Sequence, residues 1–308
     1  MFCFNQKYQV GLSFHSDEIR LLKLHRSKHS LSIVAFAIVQ LTQAVPQAQQ
    51  TTPAEQVIQA VAALVRQTHS AGCVATLVLP SGQVMIKQVS LPTYLSDQEC
   101  LLEFMSNREV YLPGIKQHLN IDYVRSKQAE EENRLIAAKT DQVNGYVYAA
   151  RQAGLFVQAV DINLYTLSRL YSIASALPES IMILDIDGGI AHLIILRGNR
   201  VVFHEYFAYG LHPGSSPSDF CQRVHYAIQG AIVSKKIDDT HPIYLSGSKA
   251  SVRQIKALLQ QTQSIKTSDY PLCHHIPFIG SDTQQHAFDQ LPSLLIPCGA
   301  ALREIRWQ

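Results

Sequence analysis

The sequence predicts an α/β protein with two domains, each a mixed sheet flanked by helices. Residues 181–207 form three short apolar runs separated by glycine-containing turns, which is the pattern of a three-stranded antiparallel meander. Residues 9–40 show the same pattern, and each meander precedes a polar loop, a proline-started helix and another strand. This repeat predicts a duplicated fold, although chance recurrence of common elements is the alternative.

Size and composition limit the possible classes of protein. The chain has 308 residues, 47% of them hydrophobic, and a net charge of +2. This length suggests two domains, and a charge so near zero without a basic stripe argues against nucleic-acid binding. The apolar run at 31–41 is too short for a bilayer span of about 20 residues and is misplaced for a signal peptide, so we expect a cytoplasmic chain. The six scattered cysteines lack Cys-x-x-Cys spacing and indicate reduced thiols.

Two helix starts and one proline organise the chain. The first helix is predicted to begin with Thr52 as N-cap, Pro53 at the first helical position and Glu55 completing a capping box. The second copy has Ser216, Pro217 and Asp219 at the matching positions. Pro178 marks the boundary between a first domain at 1–177 and a second domain at 178–308.

The remaining segments are assigned by hydrophobic periodicity. Within the first domain, residues of about 93–133 are predicted to form a small inserted subdomain. Residues 210–242 leave room for one loop and one helix, so the second domain is predicted to lack an additional subdomain. The other predicted strands are 74–79, 84–90, 121–124, 135–138, 155–160 and 242–246, and the other predicted helices are 96–107, 141–153, 163–175, 251–261 and 292–303.

The turn at 185–189 carries the most suggestive polar residues. Asp185 and Asp187 lie beside Gly188 and Gly189, and glycines let backbone amides approach a ligand. The alternative is a tight hairpin whose acids are solvated, because such turns are common. The turn alone does not distinguish a ligand site from a hairpin with solvated acids, so other parts of the sequence are needed.

Five short motifs occur together in one known family: QVSLP at 88–92, YLP at 111–113, RQAGL at 151–155 followed by Val160-Asp161, ILDID at 183–187 with 193–198, and GAAL at 299–302. On these motifs, the chain resembles the actin-like type IV pilus assembly protein PilM family, including its short competence and mannose-sensitive pilus versions. The resemblance covers nearly the whole chain. It implies the duplicated actin/hexokinase-type fold, which is ribonuclease H-like in each domain.

The resemblance also implies a nucleotide site, ATP with Mg, held by three loops between the domains. Here Ser13 replaces the acid of the first loop and His15 its glycine, Asp185 is kept, and Asp187 stands where glycine is expected. An added carboxylate repels a polyanion, so we expect a degenerate site without catalytic residues or assigned metal ligands. Its candidate residues are Ser13, Asp185, Asp187, Gly188, Gly189, Ser246, Gly247 and Ser248.

Three functions follow from the resemblance. The first is a non-enzymatic cytoplasmic scaffold of type IV pilus, or related type II secretion-like, biogenesis. It would bind the cytoplasmic tail of a PilN-like inner-membrane protein. Residues 88–126 are either part of this partner-binding surface or a plain structural insertion. It would meet other pilus assembly proteins, reach the membrane only through its partner, and could form homo-oligomers. The alternatives are an ATP-binding switch and, more remotely, a small-molecule kinase with Asp185 or Asp187 as base.

Two pairs of histidines are predicted to be structural. His274 and His275 are assigned to a strand-like segment, where adjacent side chains point to opposite faces and cannot share a metal. His192 and His204 are interpreted as alternating sheet residues.

Overall fold

The structure is a computed structural model, which describes residues 7–28, 30–41, 55–91, 94–125, 133–173, 177–208, 217–235, 242–263, 265–279 and 281–303. The strands are β1 Tyr8–Phe14, β2 Glu18–Arg26, β3 Leu31–Gln40, β4 Val74–Val78, β5 Val84–Gln88, β6 Leu119–Val124, β7 Arg134–Lys139, β8 Phe156–Asp161, β9 Ser180–Asp187, β10 Ile190–Arg197, β11 Arg200–Ala208, β12 Ile243–Gly247 and β13 Thr267–Ser268. The helices are α1 Glu55–Gln67, α2 Asp97–Ser106, α3 Arg108–Tyr111, α4 Thr140–Gln152, α5 Asn163–Tyr171, α6 Pro217–Lys235, α7 Lys249–Gln263, α8 Leu272–His275 and α9 Ser281–Ala301.

The two halves of the chain have the same strand order. The first sheet runs β3-β2-β1-β4-β8 and the second runs β11-β10-β9-β12-β13. In each sheet the first strand of a three-stranded antiparallel meander pairs with one parallel strand, β4 or β12, and that strand pairs in turn with an outer parallel strand, β8 or β13. The predicted duplication of meander, helix and strand is therefore confirmed, and the proposed N-caps Thr52 and Ser216 lie outside the described residues.

The core is divided by the two sheets. One cluster packs α1 and α4 against the outer face of the first sheet, and a second packs α6 and α7 against the outer face of the second. A third cluster joins the two halves through α5 and α9, with Leu22, Ile183 and Leu295 fully or almost fully buried. The inner faces of both sheets thus meet the same two helices, which positions the ends of β1, β9 and β12 next to one another.

A small antiparallel sheet of order β5-β7-β6 lies between β4 and α4 in the chain. It is covered on one face by α2 and α3, with Phe104 and Leu135 buried in its own core. Ser96 caps α2 through a full capping box with Glu99. The strands β5 and β7 flank the segment 93–133 that the sequence predicted as an insertion, and both belong to this small sheet.

Two predicted elements differ in the structure. The last helix begins at Ser281 rather than at 292 and contains both Pro292 and Pro297. A proline ring displaces the carbonyl four residues earlier, and the freed carbonyl of Ser293 instead accepts the Arg20 guanidinium at 3.3 Å. His274 and His275 themselves lie in the short helix α8 rather than on a strand, whereas the segment just after them is strand-like, because Phe278 forms a parallel bridge with Ile33.

Candidate functional site

The predicted site residues lie where β1, β9 and β12 end side by side. Parallel pairing puts Ser246 beside Asp185 and the end of β1 beside the end of β4. Ser13 and Asp185 are fully buried, and Asp187 is 5% exposed. The sequence-predicted residues of the first and second loops therefore converge, as the strand pattern requires.

Asp187 joins the two halves of the molecule. Its Oδ1 accepts the backbone amide of Ser16 at 2.9 Å, and its Oδ2 accepts that of Ser81 at 3.2 Å. The Nδ1 of His15 lies 3.7 Å from the same Oδ1, while its Nε2 lies 3.0 Å from the hydroxyl of Ser13. The carboxylate of the second half is thus held by three groups of the first half.

These contacts keep Asp187 ionised. Burial alone would raise the pKa of the carboxyl, but the neighbouring His15 and the amides of Ser16 and Ser81 outweigh it and hold the pKa well below its usual range. The negative charge at this position is therefore a fixed feature of the fold at neutral pH.

The hairpins that carry these residues touch directly. Gly188 has φ +58°, and a side-chain carbon built on it would lie 2.2 Å from the Ser16 hydroxyl. Two amides that could bind a phosphate already bind the Asp187 carboxylate, so a phosphate at this turn would have to displace that carboxylate. The residues present at this turn do not fit a nucleotide phosphate in this structure.

Asp185, Gly247 and Ser248 have contacts within the fold, whereas the buried hydroxyl of Ser246 has no hydrogen-bond partner among the described residues. Asp185 accepts the Asn163 side-chain amide at 2.7 Å, while its second oxygen has no hydrogen-bond partner within the described residues. Ser248 precedes α7 and accepts the amide of Ser251 at 3.2 Å, which is an N-cap interaction. Gly247 has φ +141° and passes within 2.5 Å of the Ile186 carbonyl, measured from an added side-chain carbon. The third loop thus combines a close approach of β12 to β9 with the N-cap of α7.

His192 and His204 form a hydrogen-bonded pair on the inner face of the second sheet. The Nδ1 of His192 and the Nε2 of His204 are 2.9 Å apart, and the rings are nearly parallel. Burial lowers the pKa of both, for His204 to about 3, with the charge of Arg134 adding to the effect on His204. The pair is neutral at pH 7 and lines a cavity of about 420 Å³ at the outer edge of β5.

A separate groove, which we name the β6 groove, lies between the small sheet and the first domain. It has a volume of about 420 Å³. The edge strand β6 forms one wall, and no described strand pairs with its outer edge. The groove is lined by Leu79, Val84, Asn120, Ile121, Asp122, Val124, Ile136, Ala138, Val143, Val160, Asp161, Ile162, Tyr165, Ser168, Arg169 and Arg303.

Charged groups are placed at one end of the β6 groove. Asp161 accepts guanidinium groups of Arg169 and of Arg303, the latter at 2.6 Å. Arg169 also donates to the Gly299 carbonyl at 2.9 Å, which ties α5 to α9. Burial raises the pKa of Tyr165, whose hydroxyl has no hydrogen-bond partner among the described residues.

Sequence reasoning missed several of these residues. Ser16 and Ser81 act through backbone amides, which leave no residue signature in a sequence. Asn163 had a usable signal, because it is a polar residue starting a helix two positions after a strand that ends in Asp161. The link between His192 and His204 needs the strand register of β10 and β11 and could not be read from alternation alone.

The described residues contain neither a membrane-spanning helix nor a metal-binding cluster. No described helix is long and apolar enough to cross a membrane. The described histidines, cysteines and acids contain no cluster of three or more that could hold a metal ion.

Comparison with known proteins identifies the family. The family model described as type IV pilus assembly protein PilM matches residues 11–214. A solved PilM–PilN type IV pilus biogenesis complex matches with TM-score 0.68 at 18% identity, covering 96% of this chain and 98% of that one. A Bacteroides thetaiotaomicron protein with an actin-like ATPase fold and unknown function matches with TM-score 0.50 at 9% identity, covering 89% and 98%. These structures confirm the actin-like fold, and the extent of the family match shows that the chain belongs to the type IV pilus assembly protein PilM family.

Proposed function

We propose that this chain is a non-enzymatic scaffold of type IV pilus biogenesis, which binds an extended cytoplasmic tail of a PilN-like membrane protein in the β6 groove. The observation that carries the proposal is the unpaired edge of β6, which forms a wall of an apolar groove. An extended peptide adds to such an edge through main-chain hydrogen bonds, whatever its side chains.

The groove also provides side-chain specificity. Val84, Ile136 and Ala138 lie on one face of the small sheet and line the groove, so side chains of the tail that reach across this face would meet an apolar floor. The Tyr165 hydroxyl can donate a hydrogen bond that it lacks in the free chain. Arg169 and Arg303 pair with Asp161 at one end, and these charged groups offer hydrogen-bond partners to a polar residue of the tail there.

The comparisons support this partner class. The solved structure most informative for this fold is a complex of PilM with PilN, and its PilM chain matches nearly the full length of this chain. We infer that the chain reaches the membrane through such a partner. We also propose that the chain contacts other pilus assembly proteins, forms homo-oligomers, and serves a type IV pilus or a related type II secretion-like system.

We further propose that the scaffold works without a nucleotide cycle. The carboxylate of Asp187 holds the amides of Ser16 and Ser81, which favours a permanently closed pair of domains over one that a nucleotide closes and opens. Neither an ATP switch nor a kinase gains support from a specific contact in this arrangement.

The experiment is a binding assay with a fluorescent peptide of the PilN-like tail and two matched variants. Ile136→Arg puts a charge on the groove floor, whereas Val233→Arg puts the same charge on α6, where the side chain is 79% exposed. We expect Ile136→Arg to weaken binding by roughly tenfold or more, since it buries an unpaired charge under the peptide. Val233→Arg should bind like wild type.

Tyr165→Phe provides a variant that keeps the fold and the ring. It should reduce the binding free energy by about 0.5–1.5 kcal/mol, which is the usual net contribution of one hydrogen bond. Equal affinities for wild type, Ile136→Arg and Tyr165→Phe would reject the β6 groove as the binding site.

A further inference from the structure

Basic side chains are concentrated at one end of the first domain. This end, which we name the basic end, is where β1, β4 and β8 begin, where α1 and α4 finish, and where β2 turns into β3. Parallel pairing sets Val74 beside Gln9 and Phe156 beside Val74, so the three strands start next to one another. The exposed basic side chains at these strand and helix ends are Lys7, Lys28, Arg66 and Arg151.

Hydrogen bonds hold the segments of the basic end together. The amide of Gly72 donates to the carbonyl of Gly154 at 2.8 Å, which joins the segment after α1 to the segment after α4. The ammonium group of Lys23 on β2 donates to the carbonyl of His69 at 2.7 Å. The cations come from separate segments of the chain, so the fold groups them although they form no run in the sequence.

The acids of the same elements lie at the opposite end of the domain. They are at the β1–β2 turn, in the first turns of α1 and α4, and at the end of β8, and they are Asp17, Glu18, Glu55, Asp141 and Asp161. Among the described residues of β1–β4, β8, α1, α4 and their connections, no acid lies at the basic end. Cations at the ends of α1 and α4 complement the helix dipoles, but Lys7 and Lys28 lie at strand ends, where that explanation does not apply.

An aromatic side chain lies among these cations. Phe156, the first residue of β8, is 39% exposed, and β8 is an edge strand of its sheet. Cations around an exposed aromatic ring are typical of surfaces that meet anionic lipid headgroups. The cations are attracted to the phosphates, and the ring enters the headgroup layer.

We propose that the basic end contacts the anionic phospholipid surface of the membrane directly, in addition to the tail of the PilN-like partner. Charge complementarity identifies this surface, because four exposed cations face outward at an end of the domain without a described acid from the same elements. Each cation near an anionic surface raises the affinity roughly fivefold, so a few cations alone bind weakly.

The basic end is connected to the β6 groove through the last turn of α9. Arg26 donates to the carbonyl of Leu302 at 3.5 Å, and the next residue, Arg303, lines the groove. A tail bound in the groove, as proposed above, would tether the chain to the membrane, and the basic end would orient it there. Two weak contacts on one surface bind much more tightly together than either does alone.

The test measures binding of the full chain to phospholipid vesicles without any tail peptide. Vesicles of phosphatidylglycerol and phosphatidylcholine in equal parts are anionic, and pure phosphatidylcholine vesicles are neutral. Arg66→Gln with Arg151→Gln removes two charges from the basic end and keeps good helix formers. The matched control, Arg253→Gln with Lys266→Gln, removes two exposed charges from the second domain.

We expect wild type and the control variant to sediment with anionic vesicles at low salt and with neither kind of vesicle at high salt. The Arg66→Gln/Arg151→Gln variant should bind anionic vesicles roughly tenfold or more weakly. Both variants should bind the tail peptide in solution like wild type, so a failure of lipid binding and a failure of tail binding are seen separately.

A fluorescent variant distinguishes lipid from another polyanion. The emission of Phe156→Trp should shift to shorter wavelength with anionic vesicles, beyond any change in wild type, and double-stranded DNA should leave it unchanged. The proposal is overturned if the chain binds both kinds of vesicle alike or binds neither, if the two charge variants bind anionic vesicles equally, or if only DNA shifts the emission of Phe156→Trp.

Discussion

At the scale of single residues, the buried polar groups of this chain serve contact between its halves. Asp187 ends a strand of the second half and takes its hydrogen bonds from Ser16 and Ser81 of the first. Arg20 is fully buried, is paired with Glu18, and reaches the carbonyl that Pro297 frees in α9. A buried charge is tolerated only when its hydrogen bonds are satisfied, and here the partners come from distant segments.

The His192–His204 pair predicts how stability depends on pH. The folded pKa values of both histidines lie below the ordinary value near 6.5. Below that pH the unfolded chain therefore binds more protons than the folded chain does. Stability is therefore complete above about pH 6.5 and falls as the pH drops toward about 3, by up to about 1.4 kcal/mol per pH unit for each histidine.

Urea unfolding at several pH values measures this effect. The His204→Gln variant should lose less stability than wild type between about pH 6.5 and pH 4, since one titrating group is gone. His118→Gln, at an exposed position before β6, is the control and should follow the wild-type curve. If His204→Gln and wild type respond to acid alike, the pair does not titrate as described.

Residue-scale features were the hardest to predict from sequence. The presence of Asp187 where the resemblance leads us to expect glycine was visible in the sequence. Its partners were not visible, because backbone amides of Ser16 and Ser81 look the same for any residue. Whether a nucleotide binds at Ser13, Asp185 and the third loop stays a prediction.

At the scale of elements, α9 organises the packing between the two sheets. It contacts β1, β2, β4, β12 and α5. Gly11 of β1 allows the closest approach, because a side-chain carbon added there would lie 1.8 Å from the Pro297 carbonyl. The helix therefore rests on the strand backbone itself, with no side chain between them.

This contact predicts opposite effects for two glycine-to-alanine changes. Gly11→Ala forces a methyl group into the α9 backbone and should destabilise the fold by about 1–3 kcal/mol or more. Gly230→Ala, in α6 with nothing within 4 Å of the added carbon, should stabilise it by about 0.5–1 kcal/mol through helix propensity. The melting temperatures of the two variants test this prediction. Equal melting temperatures would contradict the packing of α9 on β1.

Most elements were predictable because their signals are local. The periodic apolar runs of β1–β3 and β9–β11 needed no tertiary information. The extent of α9 was missed because prolines inside a helix normally end it, and the compensating hydrogen bond from Arg20 comes from a strand far away in the chain. The helix α8 was missed because a four-residue helix has no periodicity to detect.

At the scale of the whole molecule, the fold combines a duplicated body with one small added sheet. The duplication gives the closed, tightly packed interface between the halves, with Asp187 at its centre. The small sheet adds two exposed strand edges, one beside the histidine pair and one along the β6 groove. The proposed tail-binding groove lies on the small sheet, whereas Asp187 joins the two halves at the ends of β1 and β9.

We propose that the chain is a scaffold that binds its partner's tail without nucleotide. The most direct measurement is the affinity of the full-length chain for a PilN-like tail peptide, determined by calorimetry with and without Mg-ATP. We predict binding at micromolar concentration with the same affinity in both conditions, and no heat from Mg-ATP alone. Binding that requires Mg-ATP, or no binding of the tail in either condition, would contradict the account.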